Sequence, residues 1–295
     1  MLILISDAFD ASLEGKLKAF GDVTTDKTKA PIADVILVRS ATKCNKEYLD
    51  TLQNCKLIIR GGVGIDNIDK AYAESKGIIV RNTPRSSAIA VAELAFAHML
   101  STASRLVYYH NEMKAGSWKK KEKRTELYGK TLGLLGIGNI ATKVAERAKA
   151  FGMNIVAYDK YVTSSSVATL VPTVEDAVKD ADYISIHMPL TDETKGMFNE
   201  KLFAIMTKAP VIVNTSRGPI IDEKAMGKAL EEGSVSWYCA DVYPTESPIE
   251  DGYELLKSDK VTLTPHVGAN SKENLLRIGD EVIDTIKQLQ NEGKL

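Results

Sequence analysis

Histidine and cysteine are scarce in this 295-residue chain, with four of the first and three of the second. The histidines show no H-x-x-H spacing and the cysteines no C-x-x-C, so no metal site is expected. Cys44, Cys55 and Cys239 are also too few and too scattered for a disulfide framework and read as the reduced thiols of a cytoplasmic protein. Neither sign of charge is in excess: 38 Lys and Arg stand against 39 Asp and Glu, which removes any whole-chain argument for nucleic acid or an anionic membrane surface. No apolar run approaches bilayer-spanning length. Met1-Leu2-Ile3-Leu4-Ile5-Ser6 lacks the basic start and cleavage signal of a secretory peptide and reads as a first strand. Internal repeats and low-complexity segments are missing too.

What is present is alternation. Short apolar runs at 2–5, 34–38, 56–59 and 78–80 are separated by helical patterns at 13–20, 46–52 and 68–75, which argues a parallel sheet with helices on both faces. The alternation resumes at 182–186, 210–213, 236–240 and 261–263, and a last helix over 272–290 carries the chain back to the first domain. The length suits two such domains. We read an α/β protein of two doubly wound parallel-sheet domains. Residues 1–88 and 269–295 form a flavodoxin-like domain, and a Rossmann domain at 89–268 is inserted into it. Residues 86–110 are alanine-rich and apolar nearly all round, as a helix buried on more than one side between domains or at a subunit contact requires.

The organising stretch is Lys130-Thr131-Leu132-Gly133-Leu134-Leu135-Gly136-Ile137-Gly138-Asn139-Ile140-Ala141. A strand-length run enters a glycine turn, a helix leaves it, and a second apolar run ends on Asp159 about twenty residues on. Gly136 permits a tight turn, Gly138 allows close backbone approach to a pyrophosphate, and the helix starting near Asn139 aims its free N–H groups at the phosphates. Ala141 stands in place of a third glycine and is small enough for close helix–strand packing. Asp159 accepts from ribose hydroxyls and repels a 2′-phosphate, which favours NAD over NADP, although Lys160 alongside weakens the exclusion.

Two other stretches stay ambiguous on their own. Arg60-Gly61-Gly62-Val63-Gly64-Ile65-Asp66-Asn67 follows a strand and reads either as an anion nest, helped by Arg60 and a helix beginning near Asp66, or as a tight turn. The lysine-rich segment 114–124, with Trp118, reads as a solvated loop or as charges reaching a neighbouring subunit's anionic substrate. At the ends of successive strands of the second domain stand Arg217, Glu246 and His266, each ordinary alone but together able to form one site.

The glycine turn with its acid, His187-Met188-Pro189-Leu190, Arg217-Gly218, the segment from Asp241-Val242-Tyr243 to Glu246, and Pro265-His266 come in the order found in the D-isomer-specific 2-hydroxyacid dehydrogenases. The chain resembles that family from first strand to last helix. The resemblance implies hydride transfer between C2 of a 2-hydroxy acid and C4 of the nicotinamide of NAD, with the cleft closing to exclude water. It implies His266 as general acid/base, Glu246 orienting its imidazole, and Arg217 holding the carboxylate and polarising the C2 carbonyl. It further implies the Gly62 and Val63 amides as carboxylate donors, Asn139 and Ile140 at the pyrophosphate, Asp159 at the ribose, Met188 and Thr215 along the groove, and Asp241 at the nicotinamide amide. Two positions depart from the family pattern: Val63 stands where many relatives have threonine, and Ser247-Pro248 follows Glu246 where proline commonly follows directly.

Arg39-Ser40-Ala41-Thr42-Lys43, Arg60, and the stretches 114–118 and 125–133 resemble the 3-phosphoglycerate dehydrogenases within the family. That implies Arg39 and Arg60 gripping a phosphate, oxidation of 3-phosphoglycerate as the first committed step towards serine, and a homodimer paired through the NAD-binding domain. The alternatives are structural ion pairs for the two arginines, a glycerate/hydroxypyruvate or D-lactate-type substrate, and, from another class, a non-catalytic NAD-sensing partner protein. The chain ends soon after the return helix, so feedback through a serine-sensing domain is not expected.

Overall fold

The computed structural model describes residues 1–246 and 248–295. It divides into two compact units, Met1–Ala90 with Ala269–Leu295, and Val91–Gly268. Ser247 lies outside the described residues, so its departure from the family pattern has no structural account.

In the first unit the chain runs β1 (Leu2–Ile5), α1 (Ser12–Leu17), β2 (Asp22–Thr24), β3 (Val35–Val38), α2 (Lys46–Asp50), β4 (Leu57–Arg60), α3 (Lys70–Ser75) and β5 (Ile79–Asn82). It leaves through α4 (Ala88–Ser104). Among the described residues the strands form a parallel sheet of order β2-β1-β3-β4-β5. Side chains alternate across it. Ile36 and Val38 face a core with Leu49, Ile58 and Val80, while Val35 and Leu37 face one with Leu13, Leu17, Ile278, Val282 and Ile286. All four β3 residues are buried, as in a strand covered by helices on both faces. Truncating Ile36 or Leu37 to alanine costs about 2–5 kcal/mol.

The second unit continues with α5 (Leu106–Lys114), β6 (Thr131–Leu135), α6 (Asn139–Ala150), β7 (Asn154–Tyr158), β8 (Thr169–Leu170), α7 (Val174–Val178) and β9 (Tyr183–Ile186). Then come α8 (Glu200–Ala204), β10 (Val211–Asn214), α9 (Glu223–Glu232), β11 (Trp237–Ala240) and β12 (Val261–Leu263), before α10 (Lys272–Asn291) returns to the first unit. The parallel sheet order is β12-β11-β10-β9-β6-β7-β8, which reverses direction between β6 and β9. At such a switch point a doubly wound sheet takes its nucleotide.

Two expectations about helices need correction. The apolar helix does not run through residue 110: it stops at Ser104, Arg105 takes a left-handed φ of 51°, and α5 begins afresh. The Thr102 and Ser104 hydroxyls donate to the carbonyls of His98 and Leu100, a back-bonding that loosens the last turn. Its inner face packs through Ala92, Ala95, Phe96 and Met99, while Ile89, Glu93 and Ala97 are exposed in the single chain. No helix begins near Asp66. Cys44 bridges Ile68 there, and α3 starts at Lys70 because the Asp69 carboxylate caps the Tyr72 amide.

Candidate active site

The glycine turn is explained residue by residue. Gly136 has φ 90°, and a Cβ there would lie 2.8 Å from the His187 carbonyl oxygen. His187 N–H donates to Leu135 at 2.8 Å and Gly136 N–H to Tyr158 at 2.7 Å, so the turn is stitched to both neighbouring strand ends. Gly138 differs: its φ is −75°, and a Cβ would meet nothing of the protein within 4 Å. The fold itself does not demand glycine at 138, whereas a diphosphate lying on the start of α6 does. That helix has no side-chain cap at Gly138 and no acid in its first turn, so its positive end carries no competing negative charge. Ala141 is fully buried, consistent with close packing.

Asp159 ends β7. Ile137 N–H donates to it at 2.9 Å and those of Tyr161 and Val162 at 2.8 and 3.1 Å. Burial alone would raise its pKa, but these three donors outweigh it and hold the carboxyl below the usual carboxylate range. Across the sheet Thr215 is buried, and its hydroxyl finds no partner among the described residues. An open glycine, an uncapped helix start, an anchored acid and an orphaned hydroxyl fit a dinucleotide. Met188 is buried beside them and its carbonyl accepts from the Ser216 hydroxyl.

Arg217, Glu246 and His266 come from loops that follow the adjacent parallel strands β10, β11 and β12. Those loops are locked together. A Cβ on Gly218 would fall 2.1 Å from the Tyr243 carbonyl carbon, so only glycine lets the Arg217 loop lie against 243–244. The Tyr243 hydroxyl donates to the Thr264 carbonyl at 2.8 Å and joins the third loop. The Glu246 carboxylate meets His266 Nδ1 at 2.9 and 3.1 Å through its two oxygens, which leaves Nε2 for a reacting group. Arg217 Nη1 donates to the Ser216 carbonyl at 2.6 Å.

His266 has φ 53°, in the left-handed region. Asp241 holds it there. The Asp241 carboxylate, 2% exposed, accepts from Thr264 Oγ1 at 2.6 Å, Val267 N–H at 2.9 Å and Gly268 N–H at 2.8 Å. His98 Nε2, buried in α4, lies 3.2 Å from the same Thr264 hydroxyl. The resemblance implies Asp241 at the nicotinamide amide; what the structure adds is that its oxygens anchor the 264–268 loop. Thr264 and His98 were missed, since nothing in their local sequence signals a partner more than twenty residues away.

In the first unit Arg60 ends β4 and Arg39 follows β3, and Val38 is in register with Arg60, so the two arginines start from neighbouring strand ends about 5 Å apart. A Cβ on Gly62 would lie 1.7 Å from Arg60 Nη1, so this glycine makes room for the guanidinium. The Gly62 amide is not available to a carboxylate as expected: it donates to the Thr83 hydroxyl at 2.7 Å. The Val63 carbonyl accepts from Asn82 Nδ2 at 2.5 Å. In the lysine-rich segment Glu122 anchors the loop through Arg105 at 2.7 Å and the Tyr108 hydroxyl at 2.8 Å, while Trp118 is exposed.

The family described as D-isomer specific 2-hydroxyacid dehydrogenase, NAD binding domain, matches residues 96–268. A D-3-phosphoglycerate dehydrogenase of Methanocaldococcus jannaschii is 40% identical over 300 residues, covering 97% of this chain and 57% of the relative. The chain thus spans little more than half of that protein. A hydroxypyruvate reductase of Thermotoga maritima is 42% identical over 258 residues, covering 87% of this chain and 84% of the relative. The chain belongs to the D-isomer-specific 2-hydroxyacid dehydrogenase family. The D-lactate dehydrogenase of Aquifex aeolicus, solved with NAD and lactic acid, superposes with a TM-score of 0.85 at 28% identity over 100% of this chain and 96% of its own. The cofactor of this dehydrogenase family member is NAD, and both sheets have the doubly wound topology expected.

Burial pushes the thiols of Cys44, Cys55 and Cys239 up to about 12, which withdraws them from thiolate chemistry. Burial also pushes His187, 2.8 Å from the Ser185 hydroxyl, down to about 4. The folded value lies below the ordinary 6.5, so the unfolded chain takes up a proton that the folded one refuses. Stability is therefore full above about pH 6.5 and falls as pH drops towards 4, by at most about 3 kcal/mol, less for the ring's partial exposure. Urea unfolding at pH 7.5 and pH 5 should show H187Q losing about 1–2 kcal/mol less between the two than the parent chain. Equal losses would refute the assignment.

Proposed function

We propose that this chain oxidises 3-phosphoglycerate to 3-phosphohydroxypyruvate with NAD, the first committed step towards serine. NAD, when bound, supplies the hydride acceptor at nicotinamide C4. The observation that carries the chemistry is the Glu246–His266 pair at 2.9 Å beside the Arg217 loop. Arg217 grips the carboxylate and draws electron density from the C2 oxygen. His266 Nε2 takes the hydroxyl proton as the hydride leaves C2, and Glu246 balances the imidazolium that forms. With all three present, a chain that only senses NAD is the weaker reading.

Phosphate recognition rests on Arg39 and Arg60, whose neighbouring strand ends suit a dianion better than a single cation would. Changing either to alanine should raise KM for phosphohydroxypyruvate about 10- to 100-fold, as loss of a charged hydrogen bond implies, and that for hydroxypyruvate about threefold or less. Parallel NADH-oxidation assays decide it. Equal losses would return the arginines to structural duty and favour hydroxypyruvate, the substrate in the Thermotoga relative's name.

A homodimer through the second unit is supported by its exposed apolar side chains, among them Leu106, Val107, Met113 and Phe151, with the Phe151 ring tilted against Phe96 of α4. Sedimentation at micromolar concentration should give twice the chain mass. A monomer would refute this.

A further inference from the structure

The sheet order β2-β1-β3-β4-β5 of the first unit reverses between β1 and β3. The loops after those two strands are therefore the place where such a sheet takes a ligand. The first loop carries Asp7 and the second carries residues 39–42. Asp7 is a buried acid that neither the cofactor nor the acid/base chemistry uses: its side chain is 3% exposed. Its Oδ2 accepts from Arg39 N–H at 2.6 Å and Thr42 N–H at 3.1 Å, and its Oδ1 accepts from the Thr42 hydroxyl at 2.6 Å. The Ser6 hydroxyl, 2.9 Å from that of Thr42, extends the set. Lys27, largely exposed, lies 3.8 Å from Oδ1, too long for a hydrogen bond.

The same turn is gripped from its other side. Asn67, in the glycine-rich loop after β4, donates through Nδ2 to the Arg39 carbonyl at 2.7 Å and to the Thr42 carbonyl at 2.6 Å. Asn67 is itself fixed, since its carbonyl accepts from Cys44 N–H at 2.8 Å. Both backbone groups of Arg39 and both of Thr42 are thus satisfied by two side chains from the two flanking loops. A turn can be closed with less. Two backbone bonds on Arg39 and two on Thr42, all from one acid and one amide, clamp both ends of the turn that carries the guanidinium. The guanidinium itself donates through Nη1 to the Ala8 carbonyl at 3.3 Å.

We propose that Asp7 and Asn67 are positioning residues that fix Arg39 for the phosphate of the substrate, and so set the preference for a phosphorylated over an unphosphorylated acid. This rests on the reading of Arg39 given above. A rigid backbone lowers the ordering cost of binding the anion and keeps the charge where only a substrate with a distal phosphate gains from it. Without the clamp the arginine remains, but its placement relaxes. The effect falls on KM for the phosphorylated acid and leaves kcat and NADH binding alone.

The test is steady-state NADH oxidation with phosphohydroxypyruvate and hydroxypyruvate on D7N, N67S, R39A and the double variant D7N/R39A. Asp7→Asn places an amide donor against backbone donors, and Asn67→Ser withdraws the reach to both carbonyls. Each should raise KM for phosphohydroxypyruvate about 10-fold, and for hydroxypyruvate less than about 2-fold, with KM for NADH unchanged. The double variant should be no worse than R39A, because an arginine that is absent needs no positioning. Should D7N fail to fold, T42V, which deletes only the hydroxyl bound to Asp7, should move the same ratio by about 2- to 3-fold. If R39A discriminates between the two acids but D7N, N67S and T42V do not, the positioning role is overturned and the phosphate reading stands. If R39A itself does not discriminate, both fall.

Discussion

H266N lowers kcat for either keto acid by on the order of 10³-fold, within the range typical of a lost general acid/base, while NADH still binds. Asparagine is chosen for a backbone reason. His266 sits at φ 53°, and among residues with a Cβ asparagine tolerates that region best, so the 264–268 loop keeps its shape when the imidazole goes. Alanine would remove the ring and strain the turn at once, and the two losses could not be separated. The Glu246 oxygens at 2.9 and 3.1 Å from Nδ1 define the companion variant, E246Q, which keeps one acceptor and removes the charge. It should lower kcat by about 10- to 100-fold, less than H266N, because orientation survives and only the balance of charge on the ring is lost. Stopped-flow NADH oxidation with NADH titration by fluorescence checks both. A kcat for H266N within tenfold of the parent would remove His266 from the proton's path.

Several parts of this arrangement are local and were legible. The glycine turn, its strand, its helix and Asp159 lie within thirty residues, and the chemistry of each position follows from backbone conformation and spacing. Strands buried on both faces show as continuous apolar runs, and the structure places them within a residue or so of where those runs suggest. Less visible were the edge strands β2 and β8, of three and two residues, and the five-residue helices α7 and α8, too short to show a period. The helix expected near Asp66 failed for a tertiary reason: Asn67 and Ile68 are engaged by residues 39–44, which holds that stretch in a turn until Asp69 can cap α3. Gly62 shows the limit for sites. Its glycine is explained by the Arg60 guanidinium and its amide by Thr83, both matters of folded contact that a glycine-rich loop leaves open.

Asp241→Asn is the second large effect, and it comes from counting donors. The aspartate presents one oxygen to Thr264 Oγ1 and Val267 N–H and the other to Gly268 N–H. Asparagine has one oxygen. In one orientation its Nδ2 faces the Gly268 amide, in the other the Val267 amide, and either way a backbone donor in a buried site is left unpaired at a cost of about 1–3 kcal/mol. That is the same size as the roughly 1–3 kcal/mol that holding a non-glycine residue in a sparsely populated backbone region requires. With anchor and strain of similar magnitude, the loop no longer has a reason to keep His266 at φ 53°, and conformers with the ring turned away from Glu246 become populated. Catalysis falls with the population of the aligned conformer and with its poorer geometry, so D241N should lose about 100-fold in kcat and about 2 kcal/mol in stability. T264V removes only the hydroxyl shared with His98 and leaves both backbone anchors, so its loss should be about tenfold or less. A D241N enzyme with kcat within twofold of the parent would mean that the Glu246–His266 contact holds the imidazole without help from the buried acid.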